Sequence, residues 1–231
     1  EPLCPPPAAC DSIKLLIIGN SITKHSPNPD IGWEHDWGMA ATAESKDYVH
    51  QLAAKAKTVA PVDLMMVNSY DFEMYFYDFT KFDTSKYQEF FDFEPDIIIC
   101  TIGANIKNPE PEGNDGVLTD IHFNKDYYKN IIDFFNKSGK AKVIVGTTIF
   151  TPEGGEVQTG IKAYADENGV PYVKMNDLDD EKYSAKPYRD QFPSNVSDGV
   201  LLHPGDAGMA EMANRLWVAL EPVMGQCLAE R

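Results

Sequence analysis

The sequence predicts an α/β fold: a five-stranded parallel sheet with helices on both faces. Three observations carry that prediction. Five short apolar runs each stop at small or polar residues, they alternate with stretches of helical period, and no long antiparallel pattern occurs. At 231 residues and 43% apolar composition, the chain can bury one sizeable core.

Taken in order, residues 1–12 carry Pro2, Pro5, Pro6 and Pro7 and read as a lead-in to a domain spanning 13–231. Leu15-Leu16-Ile17-Ile18, closed by Gly19-Asn20-Ser21, has the continuous apolar character of a strand buried on both faces. Ser26 to Gly38 is a loop rich in proline, glycine and aromatics. It directly follows Ser21 and is expected to overhang the same crevice. Tyr48, Val49, Leu52, Ala53 and Ala56 recur at helical spacing within a helix over 41–57. Val62 to Asn68 is the second strand, followed by the aromatic stretch 69–82, read as core or lid packing, and a short helix over 84–93 capped by Thr84 or Ser85. Asp96 to Ile102 is the third strand, terminating in Gly103-Ala104-Asn105, and a loop over 107–120 follows. A helix over 124–137 leads to the fourth strand, Lys142 to Phe150. A helix over 158–167 stops at Gly169 and leads to the fifth strand, Pro171 to Met175. The last helix, Asp206 to Leu220, takes Asp206 as its N-cap.

The formal net charge is −16, from 36 acidic and 20 basic residues, which disfavours phosphate backbones and anionic lipid and suits a neutral substrate. No run reaches the roughly 18 apolar residues of a membrane span. The chain begins at Glu1 with no signal-type stretch, as a trimmed form would. Cys100 sits inside an apolar run and reads as a buried thiol. In a strand–helix alternating fold, the chain before the first strand and the end of the last helix lie at one end of the sheet. A bridge from Cys4 or Cys10 to Cys227, or a local Cys4–Cys10 loop, would mark an oxidising compartment. No nucleotide-binding glycine loop follows any strand, and His25, His35, His50 and His122 make no metal-binding spacing. Asp30, Glu34 and Asp36 read as a solvated acidic loop, so neither cofactor nor metal is expected.

Open α/β sheets bind ligands outside the carboxyl ends of their strands. Three polar clusters fall at that place: Ser21 after the first strand, Asn105 after the third, and Asp198 to His203 before the last helix. An isolated Gly-Asn-Ser is equally a turn cap, a histidine before proline a turn residue, and an asparagine near a glycine a turn closure. Together they offer what acyl transfer needs: a hydroxyl, a histidine to take its proton, a group to orient that histidine, and oxyanion donors.

The blocks Gly19-Asn20-Ser21, Gly103-Ala104-Asn105 and His203-Pro204 resemble the SGNH (GDSL-like) hydrolases, in block order and spacing from residue 13 to about 220. Ile-Gly-Asn-Ser-Ile-Thr, Asp-Trp-Gly-Met-Ala and His-Pro-Gly-Asp-Ala-Gly-Met are most similar to bacterial secreted esterases of polysaccharide breakdown. The resemblance implies a single flavodoxin-like domain with the first and third strands adjacent, and a secreted, periplasmic or cell-surface location. It implies Ser21 as nucleophile, His203 as general base, and the Ser21 N–H and the Asn105 amide as oxyanion donors. The family's usual acid lies three residues before the histidine, where this chain has Val200. Asp198, five residues before, still reaches His203 if Leu201 and Leu202 bulge outward. Otherwise a Ser–His dyad works with a backbone carbonyl orienting the ring. Asp206 is a rival orienter. The region after the second strand lacks the family's glycine, and Gly38 is the substitute oxyanion donor.

The leading expectation is a metal-independent esterase removing small acyl groups, above all O-acetyl, from a carbohydrate, with Trp33, Trp37 and Tyr70 stacking on sugar. A lipase or thioesterase of longer acyl chains is one alternative. A non-catalytic glycan-binding domain with a decayed triad, suggested by Val200, is the other.

Overall fold

The computed structural model describes residues 12–109 and 121–230. The lead-in, with Cys4 and Cys10, and most of the 107–120 loop lie outside the described residues, and so does the pairing expected of Cys227. Five strands, β1 (Ile13–Gly19), β2 (Val62–Asn68), β3 (Ile97–Cys100), β4 (Lys142–Gly146) and β5 (Tyr172–Val173), form one parallel sheet in the order β2-β1-β3-β4-β5. β1 is therefore an interior strand, paired on both sides. Leu15 lies opposite Leu64 on one side and Ile97 on the other.

Among the described residues, seven α-helices accompany the strands: α1 (Tyr48–Ala56), α2 (Tyr70–Met74), α3 (Gln88–Asp92), α4 (Lys125–Phe135), α5 (Glu156–Asn168), α6 (Asp198–Leu202) and α7 (Asp206–Ala229). Strand side chains alternate between the two faces of the sheet. Leu15, Ile17, Ile97 and Ile99 join a core with α1 and α7, through Leu52, Met209, Met212 and Leu216. Leu16, Ile18, Ile98 and Cys100 join the opposite core with α2, α4 and α5, through Phe72, Tyr128, Ile131 and Ile161. Burial pushes the Cys100 thiol up to about 12, as befits a packing group rather than a nucleophile.

Several element ends differ from the sequence reading. α1 starts at Tyr48 rather than at residue 41, because the Asp47 carboxylate caps it by accepting from the His50 N–H at 2.7 Å. The short helix expected over 84–93 opens instead as a 3-10 turn over Thr84–Tyr87, capped by Asp83, which accepts from the Ser85 N–H, and runs on into α3. Asp206 is not the N-cap of α7; Gly205 holds that place. The Asp206 carboxylate instead accepts from the backbone and hydroxyl of Thr42 at 2.9 and 2.8 Å and pairs with Lys46 at 2.7 Å, fastening the loop before α1 to α7. α7 continues through Pro222 to Ala229. Proline removes the hydrogen bond to the Val218 carbonyl, which lies on an exposed residue where water can replace it. α2 and α6, of five residues each, are too short for helical periodicity to reveal.

A third cluster, Trp33, Met39, Ala40, Ala185, Val196, Val200 and Leu201, sits apart from the sheet cores. It welds the loop that follows Ser21 to the segment carrying α6. The same seam is stitched by the Ser197 N–H on the Ile31 carbonyl at 3.0 Å and the Asn195 amide on the Pro29 carbonyl at 3.1 Å. Gly32, at φ 71°, lies so close to Val196 that an added Cβ would meet backbone at 2.5 Å.

Candidate active site

β1 ends at Gly19, where a Cβ would lie 1.8 Å from the Thr23 hydroxyl, so only glycine lets the chain turn so tightly. Asn20, fully buried, builds the turn: its carbonyl accepts from the Thr23 and Lys24 N–H groups, and its Oδ1 accepts from the Ile22 N–H. From beneath, the Tyr48 hydroxyl bonds the hydroxyls of Thr23 at 2.6 Å and Thr101 at 3.0 Å. Ser21 is thus held at the carboxyl edge of the sheet. Its carbonyl accepts from the Met39 N–H, while its own N–H has no acceptor among the described residues.

His203 approaches from the end of α6. The His203 backbone N–H bonds the Val200 carbonyl rather than the Gly199 carbonyl four residues back, so the Gly199 oxygen is one of the carbonyls a helix end leaves unpaired. The His203 ring fills that vacancy, with Nδ1 at 2.8 Å from the Gly199 oxygen, while Nε2 lies 2.8 Å from Ser21 Oγ. A carbonyl only accepts, so Nδ1 carries the proton and Nε2 of the neutral ring offers its lone pair to the serine hydroxyl. Phe150 packs against the ring at 5.1 Å between centroids. Burial lowers the His203 pKa to about 4, against the opposing pull of the Gly199 carbonyl.

The cleft above them has a volume of about 650 Å³ and is bordered by Ser21, His203, Asn105, Tyr70, Asn68 and Met39 among others, within the range of small-molecule sites. Of the 26–38 loop, Ile31 borders it, and His25 and Met39 do so just outside the two ends of that loop. Among the described residues no group of three His, Cys, Asp or Glu side chains could hold a metal ion.

The structure brings Ser21, His203, Asn105 and Tyr70 to one cleft, and departs from the other sequence expectations. Asp198 is exposed in the first turn of α6, and the ring nitrogen it was expected to bond is taken by Gly199. Leu201 does not bulge outward; it is buried with Val200 in the third cluster, and only Leu202 is exposed. The Gly38 N–H is spent on Asp47 at 3.2 Å and cannot serve an oxyanion. Trp33 is fully buried, with its indole N–H on the His25 carbonyl, and offers no face to a sugar. Trp37 bonds the Ala41 carbonyl, stacks on His35 at 4.0 Å, and does not border the cleft. Tyr70 alone of the three is half exposed at the cleft.

The sequence reading allowed a backbone carbonyl to orient the ring without naming which one, and it missed Glu73 altogether. The Gly199 carbonyl is backbone and has no side-chain signature. Glu73, fully buried, accepts from the N–H groups of Gly103 and Asn105 and from the side-chain amides of Asn105 and Asn20. Its signal was positional: it stands beside Phe72 on the side of α2 that faces the core.

No family model and no curated protein matches the chain. Solved structures do resemble it. A family two carbohydrate esterase from Clostridium thermocellum in complex with cellohexaose aligns with 95% of this chain and 66% of its own length, at 16% identity and a TM-score of 0.49. The crystal structure of TesA aligns over 91% and 99%, at 14% identity and a TM-score of 0.47. LAE5, an alpha/beta hydrolase enzyme from the metagenome of Lake Arreo, Spain, aligns over 94% and 98%, at 21% identity and a TM-score of 0.45. At such identities residue roles do not carry across.

Proposed function

We propose that the protein is a serine esterase of the SGNH (GDSL-like) type that removes small acyl groups, O-acetyl above all, from a carbohydrate by a Ser–His dyad. The observation that carries this reading is the 2.8 Å contact of Ser21 Oγ with a His203 nitrogen whose tautomer the Gly199 carbonyl dictates. Ser21 Oγ attacks the ester carbonyl as its proton passes to His203 Nε2. The oxyanion that forms meets the unpaired Ser21 N–H and the Asn105 amide. Collapse breaks the bond to the sugar oxygen, which leaves with the proton from Nε2 as a free hydroxyl. Water then loses a proton to Nε2, attacks the acyl-serine and releases the carboxylic acid, and the proton returns to Ser21. The Gly199 carbonyl stabilises the transient imidazolium with a partial charge, where a triad would use a full one.

The carbohydrate part of the proposal rests on Tyr70, whose exposed ring at the cleft can stack on a pyranose, and on a net charge of −16 that favours a neutral ligand. A reading as a longer-chain lipase or thioesterase draws on a neighbouring depression along β2, which shares Asn68, Lys86 and Tyr87 with the cleft and is lined by Leu64, Met65 and Met66. Hydrolysis of para-nitrophenyl esters of increasing acyl length separates the two. Wild type is expected to hydrolyse the acetate and lose activity beyond about four carbons, with Ser21→Ala at background; the loss without Ser21 is of the order of 10⁶ in related chemistry. Activity rising toward octanoate favours the lipase reading. A wild type no faster than Ser21→Ala removes the esterase reading altogether.

A further inference from the structure

Glu73 is the one fully buried carboxylate besides Asp47 among the described residues, and its surroundings are unlike those of a structural acid. Asp47 caps a helix and pairs with His50. Glu73 has no cationic partner there, and all its hydrogen bonds come from neutral N–H donors: Gly103 at 2.6 Å, the Asn105 backbone at 3.3 Å, Asn105 Nδ2 at 2.6 Å and Asn20 Nδ2 at 3.3 Å. Burying a carboxylate without a counter-charge is costly, and a satisfied amide or apolar group would fold more cheaply. Every donor belongs to the residue before Ser21 or to the Gly103–Asn105 turn beside it.

A carboxylate accepts and does not donate, so it fixes which end of the Asn105 amide faces it. Nδ2 must point at Glu73, and Oδ1 is turned away. One hydrogen of the NH2 group is held by Glu73, leaving the second for a ligand in the cleft that Asn105 borders. With Asn20 held by the other carboxylate oxygen, Glu73 spans from the nucleophile turn to the opposite donor. Gly103, at φ 133°, completes a turn that a Cβ would force into Val157 at 2.8 Å.

We propose, on the footing of the esterase reading, that Glu73 is a positioning residue: it sets the Asn105 amide as an oxyanion donor and fixes its separation from Ser21. A negative charge behind the donor repels the oxyanion, so the inference is that orientation outweighs repulsion. In Glu73→Gln one new N–H must face the donors, and the Asn105 amide loses its fixed sense. The expected result is a fall in kcat of about 10²-fold for para-nitrophenyl acetate, approaching the loss of a whole donor, with KM within about threefold.

The deciding measurement is a double-mutant cycle with Asn105→Ala. If Glu73 acts through Asn105, Glu73→Gln costs less than about threefold once Asn105 is gone. Should Glu73→Gln not fold, Glu73→Asp, which keeps the charge and withdraws it by one methylene, replaces it in the same cycle and is expected to show the same dependence on Asn105. Losses that multiply independently, or a Glu73→Gln enzyme faster than wild type, overturn the inference and leave the esterase reading intact. A wild type no faster than Ser21→Ala overturns the esterase reading itself, a result no Glu73 variant can mimic.

Discussion

His203 is tuned by what it lacks. With a carbonyl on Nδ1 and Phe150 packed against it in a T-shaped contact, the ring has no carboxylate to stabilise its charged form, and burial holds its pKa at about 4. A base must be neutral to accept the serine proton, and this one is neutral above that value. The acid limb of kcat/KM is therefore expected near pH 4, with full activity retained at pH 5.5, in a pH–rate profile on a neutral ester. A limb near the ordinary histidine value of about 6.5 would contradict the desolvated ring. Ser21, Asn105 and His203 were legible in the sequence because the roles proposed for them belong to their side chains. A backbone carbonyl as the orienter of His203 was an open alternative, but which carbonyl was not legible, since the one at Gly199 looks like any other peptide unit. Asp198, the nearest carboxylate before His203 in sequence, is exposed, and it is the Gly199 carbonyl one residue on that meets the ring.

At the level of elements, α6 is the part that matters most and the part least visible in the sequence. It has only five residues, one of them glycine, yet it presents the carbonyl that His203 binds. Val200, at the position where the resemblance to SGNH hydrolases leads one to expect an acid, is buried in the cluster that joins α6 to the loop after Ser21, so an apolar anchor stands in place of a charge. Trp33 serves the same seam from the other side, and for that reason is interior and not a sugar platform. Ser197 caps α6 by accepting from the Val200 N–H. Ser197→Ala is expected to lower stability by about 1 kcal/mol in chemical denaturation and to reduce kcat several-fold by loosening the Gly199 carbonyl. Unchanged kcat with reduced stability would show that α6 positions the ring without help from its cap.

Over the whole molecule, the strand order β2-β1-β3-β4-β5 makes β1 and β3 neighbours and so sets Ser21 beside Asn105. The strands, alternating with helices and rich in Leu, Ile and Val, made the parallel sheet readable from the sequence, and β2 was readable to the residue. Sheet ends and short helices were less so, since β3 and β4 stop before their apolar runs do and hydrogen bonding rather than hydropathy ends a strand. His203 lies 182 positions from Ser21, and their meeting depends on the third cluster, which no local pattern announces.

In the proposed dyad a backbone carbonyl and not a carboxylate orients the base. Asp198→Asn and His203→Ala, assayed side by side on para-nitrophenyl acetate, test it most directly. Asp198→Asn is expected to stay within about threefold of wild type while His203→Ala falls by at least about 10³-fold, whereas in a triad neutralising the orienting acid costs about 10⁴-fold. Equal and severe losses in both variants would put the Asp198 carboxylate on the ring and contradict the dyad.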